Sequence, residues 1–378
     1  DQLHLRALAS GVRIPGSSPT LLAEAPLQLD ATYAPNRSNQ PATLVLSHPL
    51  IQLNAQADTK PGVKGKATLV LPDLAPLAAA GGQKLGGHAD LATDFALPVT
   101  DGDTTTVNLT GNLAALKGLE QAVGLIGPDG KLAAHATLKK TGDGQDIHLD
   151  TFTLDGKTLH LVANAAAMTK DSKTTLDNAQ ASLTLTDLAA AAKMLRGKAK
   201  LDLTASGPLD DLEAKAHLDS DFGTATMPRG PVTLDLEATH LPTAPEAHLT
   251  AGGSLDRAPL AVDLKAAQDK DGNRKLEIAK LEWNSIHGRG TLDVPGGRKL
   301  PLGTIDLKAT RLADLKNLIG QPISGSFDAS LKSTAAGQDG PLKATVNVTG
   351  DVAVAPYRVG ALKLTGFVLD PEGSPRAD

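Results

Sequence analysis

The sequence predicts an all-β protein with short helical inserts, its strands mostly antiparallel and each carrying one apolar and one polar face. Strict alternation, turn chemistry and a recurring helix-like phrase lead to that class. In 198–205, Ala199, Leu201, Leu203 and Ala205 fall on one face and Lys198, Lys200, Asp202 and Thr204 on the other, the period of two expected of a half-buried strand. The same grammar recurs in Leu212/Ala214/Ala216/Leu218, Val232/Leu234/Leu236/Ala238, Phe327/Ala329/Leu331 and Leu342/Ala344/Val346/Val348.

Turn residues separate these segments. Asp129-Gly130, Asp155-Gly156 and Asp271-Gly272 offer the positive φ angles of tight hairpins, so 147–166 reads as two strands joined at Asp155-Gly156. Gly-Gly pairs at 81–82, 252–253 and 296–297, with Pro208, Pro231 and Pro341, continue the punctuation.

The second element is a phrase: PDLAPL (72–77), GNLAAL (111–116), TDLAAA (186–191) and TRLADL (310–315). Polar openings followed by leucines at helical spacing, as in Leu113/Leu116/Leu119/Val123, predict short helices near 73–80, 112–123, 187–195 and 311–319. Each is followed by a glycine opening a new strand: Gly87, Gly130, Gly197 and Gly325. Leu74, Leu113, Leu188 and Leu312 lie 39, 75 and 124 residues apart, near multiples of a period of about 40. That predicts one continuous elongated repeat region over 1–368, with 369–378 a disordered tail.

At about 12 residues per strand and turn, the chain holds roughly 25–30 strands. Open sheets beyond about ten strands curl, split or pair, so the apolar face is expected to roll inward. A tandem sandwich with a leucine-filled core, a solenoid and a U-shaped trough all satisfy this. The 378 residues include only five Phe, two Tyr and one Trp, although aromatics are the usual bulky fillers of a core. A trough lined with Leu, Ala and Val is smooth and aliphatic, like the inside of a lipid carrier.

Composition excludes other classes. A net charge of −5 with both signs interleaved lacks the basic stripe that nucleic acid requires. Zero Cys removes disulfides, thiolate catalysis and Cys-ligated zinc. No apolar run approaches the roughly 18 residues of a membrane span. The chain opens at Asp1-Gln2, without Met or signal peptide, and is expected to be a segment of a longer polypeptide.

The phrases SGPLDDLEA (206–214), GPVTLDLEA (230–238) and DGPLKATVNV (339–348), the four helix-like phrases and the N-terminal ALASGVRIPG (7–16) resemble the periplasmic repeat region of the TamB family, in the AsmA-like superfamily. The similarity is spread over most of the chain as texture rather than a rigid motif. It implies an elongated, taco-like β-trough with an apolar lumen, in a periplasmic protein anchored to the inner membrane through a segment outside this chain. It further implies phospholipid acyl chains as the ligand, moved between inner and outer membranes. Support of outer-membrane protein assembly follows too, with a TamA-like outer-membrane barrel as partner through regions outside this chain. Under that reading the lining is Ala199, Leu201, Leu203, Leu212, Ala214, Ala216, Leu218, Val232, Leu234, Leu236, Phe327, Ala329, Leu331, Leu342, Ala344, Val346 and Val348. The rival readings are a structural or adhesive β-solenoid and a chaperone-like scaffold templating outer-membrane strands.

Catalytic signals are absent: there is no GxxxxGK[ST] loop, GxSxG elbow or HExxH helix. No enzyme, cofactor or metal is expected. Asp269-Lys270-Asp271-Gly272-Asn273 superficially resembles a calcium loop but lacks the twelve-residue pattern, and reads as an exposed turn. His148 and His160 flank the 147–166 hairpin and are expected to approach each other as a surface pair. At Trp283 the alternation slips phase, with Leu276 and Ile278 in one register and Ala279, Leu281 and Trp283 in the other, which predicts a β-bulge.

Overall fold

A computed structural model describes residues 2–12, 21–22, 25–35, 40–60, 62–98, 100, 102–335, 340–354, 357–369 and 376–377. The fold is mostly antiparallel β, in open sheets with no barrel closure. It divides into two compact units, Asp1–Lys193 and Met194–Asp378.

The first unit is a meander of β1 (Leu3–Ala9), β2 (Leu27–Tyr33), β3 (Ala42–His48), β4 (Ile51–Asp58), β5 (Val63–Leu71), β6 (Leu85–Leu97), β7 (Thr104–Gly118), β8 (Gly130–Thr141), β9 (Gly144–Asp155), β10 (Leu159–Lys170) and β11 (Lys173–Leu185). The second begins with β12 (Leu195–Pro208), β13 (Asp211–Thr224), β14 (Gly230–Pro242), β15 (Glu246–Leu255), β16 (Ala258–Gln268) and β17 (Arg274–Trp283). It continues with β18 (Ile286–Val294), β19 (Leu302–Ala309), β20 (Ile323–Ala335), β21 (Leu342–Val354), β22 (Tyr357–Leu369) and β23 (Arg376–Ala377). Within each unit, strands pair antiparallel with their neighbours in the chain, and most apolar side chains at mid-strand are half-buried rather than buried.

Short helices occupy some connections. In the first unit α1 (Ala75–Ala80) joins β5 to β6, α2 (Glu120–Leu125) joins β7 to β8, and a 3₁₀ turn (Leu188–Ala190) follows β11. In the second, a 3₁₀ turn (Leu312–Leu315) runs into α3 (Lys316–Ile319) between β19 and β20. Connections in a meander alternate between the two edges. The first unit's helices all follow odd-numbered strands, so they share one rim.

These helices tie hairpin tips together. In the first unit Thr158, in the β9–β10 tip, donates to the Gly124 carbonyl in α2 at 3.0 Å, and Lys193 pairs with Glu120 at 2.6 Å. In the second, the Thr226 hydroxyl donates to the Asn317 carbonyl at 2.7 Å, the Asn317 amide donates to Asp256 at 2.8 Å, and the Ser285 hydroxyl donates to the Arg311 carbonyl at 2.9 Å. One seven-residue segment, Arg311–Asn317, thereby holds three successive tips. Much of the tight packing of this unit lies at the same rim, where Met227 is 1% exposed, and Ala258, Trp283, Ala309 and Leu312 are also buried.

Several sequence expectations are corrected. Residues 112–118, read as helix, are the end of β7, because Asn112 and Leu113 pair with β6 and β8; helix begins only at Glu120. The stripe Leu113/Leu116/Leu119 is accordingly split between a strand face and solvent. The 187–195 helix shrinks to Leu188–Ala190, with Leu195 already in β12. Helical connections follow β5, β7, β11 and β19, intervals of two, four and eight strands rather than a fixed period. Asp129-Gly130 is the entry to β8 after α2, not a hairpin. Within the tail, Leu369 ends β22 and Arg376–Ala377 pair with it, while 370–375 and 378 lie outside the described residues, as do 13–16 of the ALASGVRIPG phrase.

The glycine after each helix has a steric cause. A Cβ at Gly87 would stand 1.7 Å from the Ala114 carbonyl oxygen, at Gly197 1.5 Å from that of Asp221, and at Gly325 2.0 Å from that of Asp351. Each strand re-entering the sheet approaches its neighbour too closely for any side chain. Two hairpin tips place a pair of successive non-glycine residues at positive φ: Asp171 and Ser172 at 50° and 62°, Asp256 and Arg257 at 50° and 64°.

Two outcomes follow. Gly197→Ala combines φ of 110° with the carbonyl clash and should cost at least about 2 kcal/mol, read as a lower denaturation midpoint for the second unit. Ser172→Gly relieves an unfavourable φ and should raise stability by about 1 kcal/mol in the same measurement.

Candidate functional site

Directly paired residues of neighbouring strands share a face, so register alone defines the surface that each unit presents. In the second unit one row runs Leu201, Leu218, Leu234, Ala251, Val262, Leu281, Gly288, Leu307, Ala329, Val348 and Leu364. It crosses eleven strands, roughly 50 Å at the usual strand spacing, without a polar side chain. The next row runs Leu203, Ala216, Leu236, Leu249, Leu264, Ile278, Gly290, Ile305, Leu331, Val346 and Gly366. On either side lie a row starting Ala205, Ala214, Ala238, Ala247, Ala266 and a row containing Val232, Leu260, Trp283 and Phe327.

The seventeen candidate lining residues all fall on this face. Leu201, Leu218, Leu234, Ala329 and Val348 belong to the first row, and Leu203, Ala216, Leu236, Leu331 and Val346 to the second. Ala214 and Ala344 lie in the alanine-led row, and Ala199, Val232 and Phe327 in the row of Trp283. Leu212 and Leu342 sit where their strands begin, at the rim without helices. Leu342 is 2% exposed and packed into that rim, whereas Leu203 is 41% exposed. Most of the others are half-buried, shielded only by their neighbours in the sheet.

Sequence reading missed that the first unit repeats the design. Its central row is Ala7, Leu29, Leu46, Leu53, Leu69, Leu91, Gly111, Leu132, Leu154, Leu161 and Leu183. The signal was present as leucines inside alternating runs, but which leucines align is set by turn lengths and bulges. The chain exposes 22216 Å², where two separate compact globules of half its mass would expose roughly 17,000 Å².

Register survives because irregularities are placed to correct it. The phase slip before Trp283 is a bulge between Ile278 and Leu281. It turns Ala279 out to solvent and returns Leu281 and Trp283 to the face of Leu276 and Ile278. The Trp283 indole donates to the Leu255 carbonyl at 2.8 Å, which satisfies its buried N–H. Glycines in the rows admit large neighbours: a Cβ at Gly288 would lie 2.9 Å from Leu281, and one at Gly65 2.7 Å from the Phe95 ring.

The polar face carries cross-strand ion pairs. Six histidines pair with aspartates: His4–Asp30, His135–Asp150, His160–Asp155, His217–Asp235, His240–Asp211 and His248–Asp263. All are exposed or half-exposed and individually contribute little; together they keep this face hydrated. His148 and His160 do not meet, since His148 stands opposite Thr137 and Ala166 while His160 pairs with Asp155. The Asp269–Asn273 segment is the β16–β17 turn. Asp269 accepts from the Asp271 and Asn273 backbone N–H groups at 2.9 Å and from the Asn273 amide at 2.7 Å, bonds that hold its carboxyl below the usual range. The carboxylate is spent on closing the turn. Among the described residues no three His, Asp or Glu side chains are arranged to hold a metal ion.

No family model matches the chain, and no curated protein matches it.

His217 hydrogen-bonds Asp235 at 2.6 Å and Asp219 at 3.1 Å, and these partners raise its pKa above the ordinary 6.5. A raised folded-state value stabilises the fold fully below the unfolded pKa and loses that contribution as pH rises through the folded one. Wild-type unfolding stability should therefore decline from about pH 6 to pH 8 more steeply than that of His217→Gln, measured by urea titration at each pH.

Proposed function

We propose that this chain is a lipid-conduit segment of a TamB-like protein, of the AsmA-like superfamily, working without catalysis. The supporting observation is the pair of apolar faces, each continuous over eleven strands, whose mid-strand side chains are mostly half-buried rather than sealed in a core. A hydrocarbon chain entering water costs about 0.8 kcal/mol per CH₂, and an aliphatic surface without polar interruption offsets most of that along its length. Leu, Ala and Val provide dispersion contact with little directional preference, so a tail can shift along a row. In this reading the chain acts in the periplasm, held to the inner membrane through a segment outside it. It carries phospholipid between the two membranes and supports outer-membrane protein assembly with a TamA-like barrel partner.

The antiparallel, open sheets favour this over an adhesive solenoid, which stacks parallel coils around a filled core. A chaperone-like reading has one observation of its own: β1 pairs with β2 alone among the described residues, and all its residues are exposed. Such an edge accepts an added strand. Cross-linking from Leu203 and Val346 separates the two, lipid adducts supporting the conduit and adducts of unfolded barrel protein the scaffold.

Charge placed on the apolar face should block transfer. Leu203→Asp and Val346→Asp are expected to reduce phospholipid transfer between donor and acceptor vesicles by at least tenfold, roughly the penalty of an unpaired charge against hydrocarbon. Thr204→Asp and Asn347→Asp, one residue away on the polar face, should leave it within twofold. Equal loss from both faces in folded variants would reject the conduit.

A further inference from the structure

Charge is almost eliminated from the apolar face, and where it survives it follows a rule. Among the described cross-strand-paired positions of that face, each unit has one charged side chain: Lys140 in the first and Arg274 in the second. Both are cations. Both are exposed and lie at the rim opposite the helices, Lys140 beside the β8–β9 turn and Arg274 beside the β16–β17 turn. Their facing partners are uncharged: Gln145 opposite Lys140, and Gln268 and Val294 opposite Arg274. Beyond Gln145 the rim row continues through Thr169 and Thr174, whose hydroxyls bond to each other at 2.9 Å.

Neither cation forms an ion pair within the described residues. The nearby acids are otherwise placed. Asp103, at the start of β7, accepts from the Thr100 hydroxyl, and Asp143 lies in the turn. Asp269 is held by its own turn, Asp271 is in that turn, and Asp293 faces Lys275 on the polar face. Directly after Lys140 toward the middle of its strand come Leu138 and Ala136 on the same face; after Arg274 come Leu276 and Ile278.

We propose that Lys140 and Arg274 each seat the phosphate of a lipid headgroup at the helix-free rim, with the acyl tail of that molecule lying on the adjoining apolar rows. The inference rests on the conduit reading and adds an orientation: headgroups at the helix-free rim, tails inward. The charge fits an anion, the rim position keeps that anion hydrated, and the uncharged amide and hydroxyl neighbours add donors without a competing carboxylate.

The test offers the purified chain an equimolar mixture of dioleoylglycerol and dioleoylphosphatidylglycerol in detergent micelles, and reads the bound ratio by native mass spectrometry. Wild type should enrich the phosphatidylglycerol. The double variant Lys140→Gln/Arg274→Gln should lower that enrichment roughly three- to tenfold with dioleoylglycerol binding unchanged, and Arg274→Lys should restore part of it in the Lys140→Gln background. Lys139→Gln/Lys275→Gln removes the neighbouring cations of the polar face and should leave the ratio unchanged. Both lipids binding wild type without preference, an equal loss in the Lys139/Lys275 control, or displacement by inorganic phosphate at the lipid's own concentration would overturn the headgroup assignment while leaving the conduit standing. Binding of neither lipid would overturn both.

Discussion

The structure depends on keeping one face in phase across many strands. A one-residue slip in any pairing would send a whole strand's leucines to the polar side, and every later strand would inherit the error. The chain meets this constraint locally. Bulges at Ile278/Leu281, Ala163/Ala165 and Gly86/Gly87 absorb the mismatches, and glycines stand where strands approach too closely for a side chain. The helix-bearing connections then tie hairpin tips to one another, so that successive hairpins are held by more than their ladder of backbone bonds.

The apolar face is unusual in what it lacks. Ordinary sheets bury such a surface under another sheet or helices, whereas here few of its side chains are fully buried. Tight burial is concentrated at the rims, around Met227, Trp283 and Leu312 in one unit and Ala114, Ala115 and Leu188 in the other. The middle of each strand stays half-buried. Much of the hydrophobic stabilisation therefore comes from lateral contact between neighbouring side chains in a row, supplemented by packed rims. The scarcity of aromatics agrees with this: leucine and alanine make a low, even surface, and Trp283, Phe327 and Phe95 lie in rows away from the central leucines.

Much of the second unit's site was legible in the sequence. The alternation of 198–205, 212–218, 232–238 and 342–348 assigns each of those side chains to a face without any knowledge of pairing, because a strand's period is two. The bulge before Trp283 was legible for the same reason, as a break in that period. The helix-like phrase at 111–116 misled because leucine spacing cannot by itself distinguish a short helix from a strand end, and pairing with both neighbours overrode it. The six His–Asp pairs and the first unit's leucine row were not legible, since both require knowing which residues of separate strands lie opposite each other.

The sequence by itself determined that the chain is β-rich, that its strands have an oily and a wet side, and which residues occupy the oily side in segments such as 198–205, 212–218, 232–238 and 342–348. Those are local properties, carried by period and turn chemistry. Only the tertiary structure decided that the oily sides join into rows eleven strands long, that the helices gather on one rim of the first unit, and that Lys140 and Arg274 are the charged side chains at the described paired positions of the apolar faces. Register, set by connection length and bulges, is a relation between distant segments, and no single strand contains it.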